Sequence, residues 1–299
     1  MTQRYMTHDV MYIIESLKPE DPETGKILAE ELKNAPDLSL KPEEIFYVKL
    51  NAKEDIYDYL MKIESESSDK HPIIHFEMHG NMDFLSTTNY YPEEKDITKL
   101  ISWRDLAYFL RKINVQTKNN LFVTLAVCVG ASLIRSFSPS RAAPVSCYIG
   151  SYSEIIVPNL VLSYNAFYKS FLADGDLDKA TDIINKVSKA WFETHLEECL
   201  SAGYSLEYIR NFRYSFISSE KLFRFLAGNS LKEDADENFE RVKSRFNAAY
   251  TEAQKREIFD KAYKAARVNC VKKMGNKFFM TDIIPENEKI IEDIVKDYM

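Results

Sequence analysis

Glycine is scarce in this chain, with eight residues in 299. They form neither G-x-G-x-x-G nor G-x-x-x-x-G-K-[ST], which argues against a dinucleotide or P-loop site. Cysteine is rarer still. Cys128, Cys147, Cys199 and Cys270 lie far apart and none belongs to a C-x-x-C pair, so neither a disulfide framework nor a zinc site is expected. A basic surplus is missing too: the formal net charge is -7, which speaks against a general nucleic-acid binder. No apolar run approaches the roughly 18–20 residues that span a bilayer. The short apolar patch near the N-terminus is broken by Glu15 and lacks a small-residue cleavage site, so the expectation is a cytoplasmic protein without a signal peptide. Repeats and low-complexity tracts are absent.

What is present is core material. The apolar fraction is 45%, with 18 Phe and 18 Tyr, enough for one large or two small folded domains. The first half alternates between strand-like and helix-like segments. VMYIIES (10–16), IFYVKL (45–50), PIIHFEM (72–78), LFVTLAV (121–127) and VSCYIG (145–150) read as strands. Between them, TGKILAEELKNA carries Ile27, Leu28 and Leu32 on one helical face. AKEDIYDYLMKIES places Ile56, Leu60 and Ile63 at helical spacing. SWRDLAYFLRKI opens with Ser102 and Asp105, a capping-box pattern. LFVTLAV is almost continuously apolar, as a central parallel strand covered on both faces should be. The alternation predicts an α/β fold: an open, mostly parallel sheet with helices on both faces. Beyond about residue 158 the pattern turns helical. PNLVLSYNAFYKSFLADG reads as a helix stopped near Gly175, and DLDKATDIINKVSKAWFETHLEECL as a second. Residues 204–298 read as a charge-rich, mostly helical appendage.

In open α/β sheets, reactive groups gather beyond the C-terminal ends of the strands. Two strands carry chemistry there. PIIHFEM runs into His79-Gly80, and LFVTLAV into Cys128-Val129-Gly130. If the two strands are parallel neighbours, an imidazole and a thiol emerge at one edge, the minimal equipment for nucleophilic acyl transfer. Gly80 would let the chain turn sharply with its N–H open, and Gly130 would admit a helix without crowding the thiol. The backbone N–H groups of Gly80 and Cys128 then form a candidate oxyanion hole. Either residue alone reads more readily as core; the pairing of two strand ends, each followed by glycine, favours the catalytic reading.

His-Gly after one apolar strand and Cys-x-Gly after the next resemble the caspase-like cysteine peptidase superfamily. The separation, 128 − 79 = 49 residues, agrees with the roughly 50-residue caspase spacing. The order APVSCYIGS, then NAFYKSFLADGDLDKATDII, is similar to the bacterial CHAT-domain proteases. The resemblance covers about residues 40–190, and it implies a His79–Cys128 dyad, protein substrates and no metal or cofactor. It also implies a regulated role in a bacterial defence or cell-death system, with an activating sensor protein as partner. AVCVGA lacks the Gln-Ala-Cys-Arg-Gly of true caspases, and FEMHGN lacks a Ser before the His, so a preference for Asp does not carry over. The competing reading is a catalytically inactive scaffold of the same fold.

Other residues are weighed against that frame. Asp83, Ser151 and Glu154 follow strand ends and are candidates for a specificity pocket that selects Lys or Arg, although each alone reads as a solvated loop residue. His75 shares a strand face with His79 and reads as a hydrogen-bonded core histidine. Cys147, Cys199, Cys270, Trp103, Trp191 and the aromatic stripe of 164–171 read as core, with Trp103 and Trp191 on amphipathic helices. The expected domains are 1–190, the peptidase, and 191–299, a helical region suited to docking. The segments 81–100 and 136–144 are expected as loops at the site's rim, and a 20-residue loop in a compact domain is usually functional.

Overall fold

A computed structural model describes residues 6–91, 96–138, 141–151, 154, 157–187, 191–195 and 275–298, with scattered positions between 248 and 272. The chain divides into two compact units: Met1–Phe137 with Ala142–Cys199, and Ser138–Arg141 with Leu200–Met299. Most of the second unit, with Cys270 and the predicted helices after 204, lies outside the described residues, as does Cys199. Its described part ends in a helix, Glu288–Tyr298. Among the described residues no helix is long and apolar enough to cross a membrane.

The first unit is built on a mostly parallel sheet flanked by helices. Its strands are β1 (Val10–Ser16), β2 (Ile45–Lys49), β3 (Pro72–Gly80), β6 (Phe122–Ala126), β7 (Cys147–Ser151) and β8 (Trp191–His195), in the spatial order β2-β1-β3-β6-β7-β8. All neighbours are parallel except β7 and β8. Two three-residue strands, β4 (Phe84–Ser86) and β5 (Leu100–Ser102), extend antiparallel from the end of β3. Every residue of β1 and of β6 is buried, as their apolar runs require of strands covered on both faces.

The helices follow their sequence patterns closely. In α1 (Thr24–Lys33), Gly25, Leu28, Ala29 and Leu32 are buried, a stripe at i, i+3, i+4 and i+7. Ile27 is off that stripe and 40% exposed, a correction to its predicted place beside Leu28. In α2 (Lys53–Glu66), Ile56, Leu60 and Ile63 are the buried set. In α3 (Trp103–Gln116), Ser102 Oγ accepts the Asp105 N–H at 3.0 Å, so the predicted cap is present. In α4 (Val157–Asp174) the aromatic stripe packs into the core through Tyr164, Phe167, Tyr168 and Phe171. The helix stops at Gly175, whose φ is 75°.

Two segments differ from expectation. The helix predicted over 176–200 ends at Val187 as α5 (Leu177–Val187), and Trp191 opens β8, paired with Ser151. Trp191 is therefore a strand residue. WFETH is rich in strand-favouring side chains, and β7 would otherwise leave its outer backbone groups unpaired. Segment 81–100 is not one long loop either: β4 pairs with both β3 and β5 within it.

A buried base makes this fold acid-sensitive. His8 packs against Phe122 and Phe171 with its Nδ1 3.2 Å from the His71 carbonyl oxygen. Burial lowers its pKa from 6.5 to about 4. The unfolded chain binds the proton first, so the stability this group allows is present above 6.5 and lost as pH falls towards 4. The loss is on the order of 3 kcal/mol. Denaturation of His8→Phe across this range should show a smaller decline than that of the natural sequence.

Candidate functional site

The pairing of β3 with β6 places the two predicted reactive residues. Its register runs from Ile73 opposite Phe122 to Glu77 opposite Ala126, a constant offset of 126 − 77 = 49. His79 and Cys128 have the same offset, and each lies two residues beyond the last pair of this ladder, His79 still within β3 and Cys128 in the turn after β6. Side chains two apart on a strand share a face, so His79 emerges on the face that carries His75 and Glu77, and Cys128 reaches the same pocket from its turn. His79 and Cys128 line one pocket of about 60 Å³ with Asp21, Thr24, Glu77, Ala126 and Leu160. A larger surface groove, about 700 Å³, lies at the C-terminal end of α1 beside Lys169 and contains neither.

Gly80 works differently from expectation. It stays extended as the last residue of β3, opposite Leu85, and the turn comes after it at Asn81–Phe84. A Cβ on Gly80 would lie 2.4 Å from Val127 Cγ1, so glycine is required for the close approach of the β3 and β6 ends. The Asn81 N–H donates to the Phe84 carbonyl at 2.9 Å. Hydrogen-bonded and non-bonded pairs alternate in an antiparallel ladder, so Gly80 and Leu85 form a non-bonded pair and the Gly80 N–H is directed away from β4. Asn81 Oδ1 accepts from the Asp83 and Phe84 N–H groups, while Trp103 Nε1 and Arg135 Nη1 donate to the Asn81 and Met82 carbonyls. The chain beyond His79 is thereby tied to both α3 and the segment that follows Cys128.

Cys128 sits in a tight turn of its own. The Gly130 N–H donates to the Val127 carbonyl at 3.1 Å, and Val129 has φ 58° and ψ 29°. A β-branched residue in the left-handed region is strained, at a cost of about 1–3 kcal/mol. The turn lifts the half-buried Cys128 above the strand end and starts a 3-10 helix, Gly130–Ser136. Gly130 lies against Gly150 of β7. A Cβ on Gly150 would be 2.6 Å from the Gly130 carbonyl carbon, and one on Gly130 would be 2.9 Å from Leu125 Cβ.

Beneath the pocket is a buried polar network. His75 Nδ1 is 2.7 Å from Thr124 Oγ1 and its Nε2 is 3.1 Å from Glu77 Oε1, as expected of a core histidine. Thr24, the first residue of α1, donates to Glu77 Oε2 at 2.9 Å. Glu15, opposite Glu77 on β1, accepts the Gly25 N–H at 2.9 Å and the Tyr47 hydroxyl at 3.1 Å. Two buried carboxylates thus anchor the N-terminus of α1, where backbone N–H groups and the helix dipole favour negative charge. Burial raises the Glu15 carboxyl above its ordinary range, against the pull of these donors.

Sequence reasoning missed Asp21. Its Oδ2 is 2.8 Å from His79 Nε2 and also accepts the Lys18 N–H at 3.1 Å. Of the predicted specificity residues, none lines the pocket. Asp83, 68% exposed, lies 3.9 Å from Arg135 Nη1. Ser151 is fully buried at the end of β7, and Glu154 is exposed beyond it. Cys147 is a buried thiol in the core.

No family model and no curated protein matches the chain. Among solved structures, it is similar to a secreted C11 cysteine protease from Bacteroides thetaiotaomicron, solved with an irreversible peptide inhibitor. The TM-score is 0.37 at 10% identity, over 61% of this chain and 59% of that one. It is also similar to Raptor from Chaetomium thermophilum, with a TM-score of 0.34 at 10% identity, over 57% of this chain and 18% of that one. The chain therefore spans less than two thirds of either neighbour.

The turn geometry predicts that two substitutions differ in effect. Gly150→Ala should destabilise the protein by roughly 1–3 kcal/mol, because the added methyl meets backbone. Val129→Gly should not, since relief of the left-handed strain offsets the entropy that glycine loses on folding. Urea denaturation of the two variants checks both.

Proposed function

We propose that this chain is a cysteine endopeptidase that works through Cys128 and His79. The observation that supports it most is the equal offset of the β3–β6 ladder and of these two residues, together with the one pocket they share. In this reading His79 takes the Cys128 thiol proton, and the thiolate attacks the substrate carbonyl carbon. The negative oxygen is met by the N–H groups of Gly80 and Cys128. The C–N bond breaks as His79 returns the proton to the amine, leaving a thioester on Cys128. Water, deprotonated by His79, then hydrolyses the thioester and restores the thiol. No step calls on a metal or cofactor.

The strain at Val129 fits this role, because strained backbone tends to be kept where a reactive side chain must be presented. The likeness to CHAT-domain proteases rests on the order of sequence around 144–184. It supports a narrower proposal, a defence or cell-death protease that cleaves a partner protein once a sensor switches it on. The first compact unit would hold the peptidase, and the C-terminal region would dock the sensor.

Cys128→Ala and His79→Ala should each lower cleavage of a peptide library by at least about a thousandfold. Their thermal midpoints should stay within a few degrees of the natural protein's. Undiminished cleavage by Cys128→Ala refutes the nucleophile assignment.

A further inference from the structure

We infer that Asp21 is the positioning residue of the site, holding the His79 ring in the orientation and tautomer that turn its Nδ1 towards Cys128. This inference rests on the peptidase reading of His79 and Cys128. Two facts about Asp21 carry it: where its carboxylate points and how firmly it is held.

Asp21 closes a tight turn directly after β1. Its own N–H donates to the Lys18 carbonyl at 3.1 Å, and the Lys18 N–H donates back to Asp21 Oδ2 at 3.1 Å. Pro19 occupies the second position of this turn, where its fixed φ suits the bend. Pro22 and the start of α1 follow at once, with Thr24 bonded to buried Glu77. The carboxylate is thus held by the Lys18 N–H, and the chain that carries it is anchored by β1 before it and by α1 after it. The β1–β3 ladder, with an offset of 77 − 15 = 62, brings Leu17 level with His79, so the turn folds the chain back beside the imidazole.

His79 Nε2 lies 2.8 Å from Asp21 Oδ2, with the His79 side chain half exposed and that of Asp21 28% exposed. A carboxylate only accepts, so the neutral ring must carry its proton on Nε2. Nδ1 is then the lone-pair nitrogen, free to take the thiol proton. In an exposed ring, without such a partner, both tautomers and several rotamers would be populated. Other ionisable groups nearby have partners of their own: Glu77 is bonded to His75 and Thr24, Glu15 to the Gly25 N–H and Tyr47, and Asp83 lies beside Arg135. The hydrogen bond of the His79 ring is to Asp21.

The test is Asp21→Asn. One atom, Oδ2, meets both the Lys18 N–H and His79 Nε2. The amide oxygen that takes its place still accepts from Lys18, so the turn survives, but it carries no charge and is a weaker acceptor, so the bias towards the Nε2–H tautomer falls. Nitrogen-15 NMR of labelled histidine, assigned with His79→Gln, should show the Nε2–H tautomer in the natural protein and a shift towards Nδ1–H in Asp21→Asn. Alkylation of Cys128 by iodoacetamide at neutral pH should slow by at least about tenfold. Asp21→Ser, which keeps an acceptor for the turn, serves as a second variant should Asp21→Asn unfold. Unchanged tautomer and unchanged alkylation in a folded variant overturn the inference. If Cys128 of the natural protein reacts no faster than a cysteine in an unstructured peptide, the peptidase reading fails by itself. The tautomer measurement then still decides whether Asp21 orients His79.

Discussion

The parallel register between β3 and β6 is the constraint on which the site depends. A one-residue slip would turn every side chain of β6 to the opposite face. It would bury the group that follows the strand or send it to the far side of the sheet. The slip is prevented by burial on both faces: Phe122, Val123 and Leu125 are fully buried, and Thr124 is tied to His75. Once this register is set, His79 at the end of β3 and Cys128 in the turn after β6 lie beyond the same end of the ladder.

The ends of the strands are then held by close contact and by buried charge. Gly80 against Val127, and Gly130 against Gly150, are approaches that a single methyl group would prevent. They fix how far apart the segments that carry His79 and Cys128 can be. On the other side, Glu15 and Glu77 place the N-terminus of α1 over β1 and β3. The turn that carries Asp21 is the short link between β1 and this helix, so its position follows from both anchors. Removing one partner from such a buried network costs more than forming it gains, because the remaining group is left without its hydrogen bonds. The rigidity of the site is therefore borrowed from the sheet and from α1.

The parts legible in the sequence were those with a strong local pattern. Apolar runs mark β1, β2, β3, β6 and β7, helical spacing marks α2, and the Ser102 cap marks α3. That His79 and Cys128 share a pocket is foreshadowed in the sequence, because each follows such a run and is followed closely by a glycine. Asp21 had no comparable mark. It sits in KPEDPETG among other acids, 79 − 21 = 58 residues from its partner, and only the pairing of β1 with β3 joins them. The strands β4 and β5 have three residues each, too few for a period to show, so they read as loop. Trp191 was drawn into the preceding helical pattern, although WFETH has strand character. Gly150 within CYIGS was a readable sign of close backbone approach, whereas the left-handed turn at Val129 was not, since a β-branched residue disfavours that conformation.

The central claim is that Cys128 is a nucleophile activated by His79. It is tested most directly by trapping with a set of peptidyl acyloxymethyl ketones, read by intact mass and by tryptic mapping. The full chain should gain one adduct, on Cys128, and His79→Ala should gain it far more slowly. No adduct on Cys128, or labelling spread evenly over all four cysteines, would contradict the account.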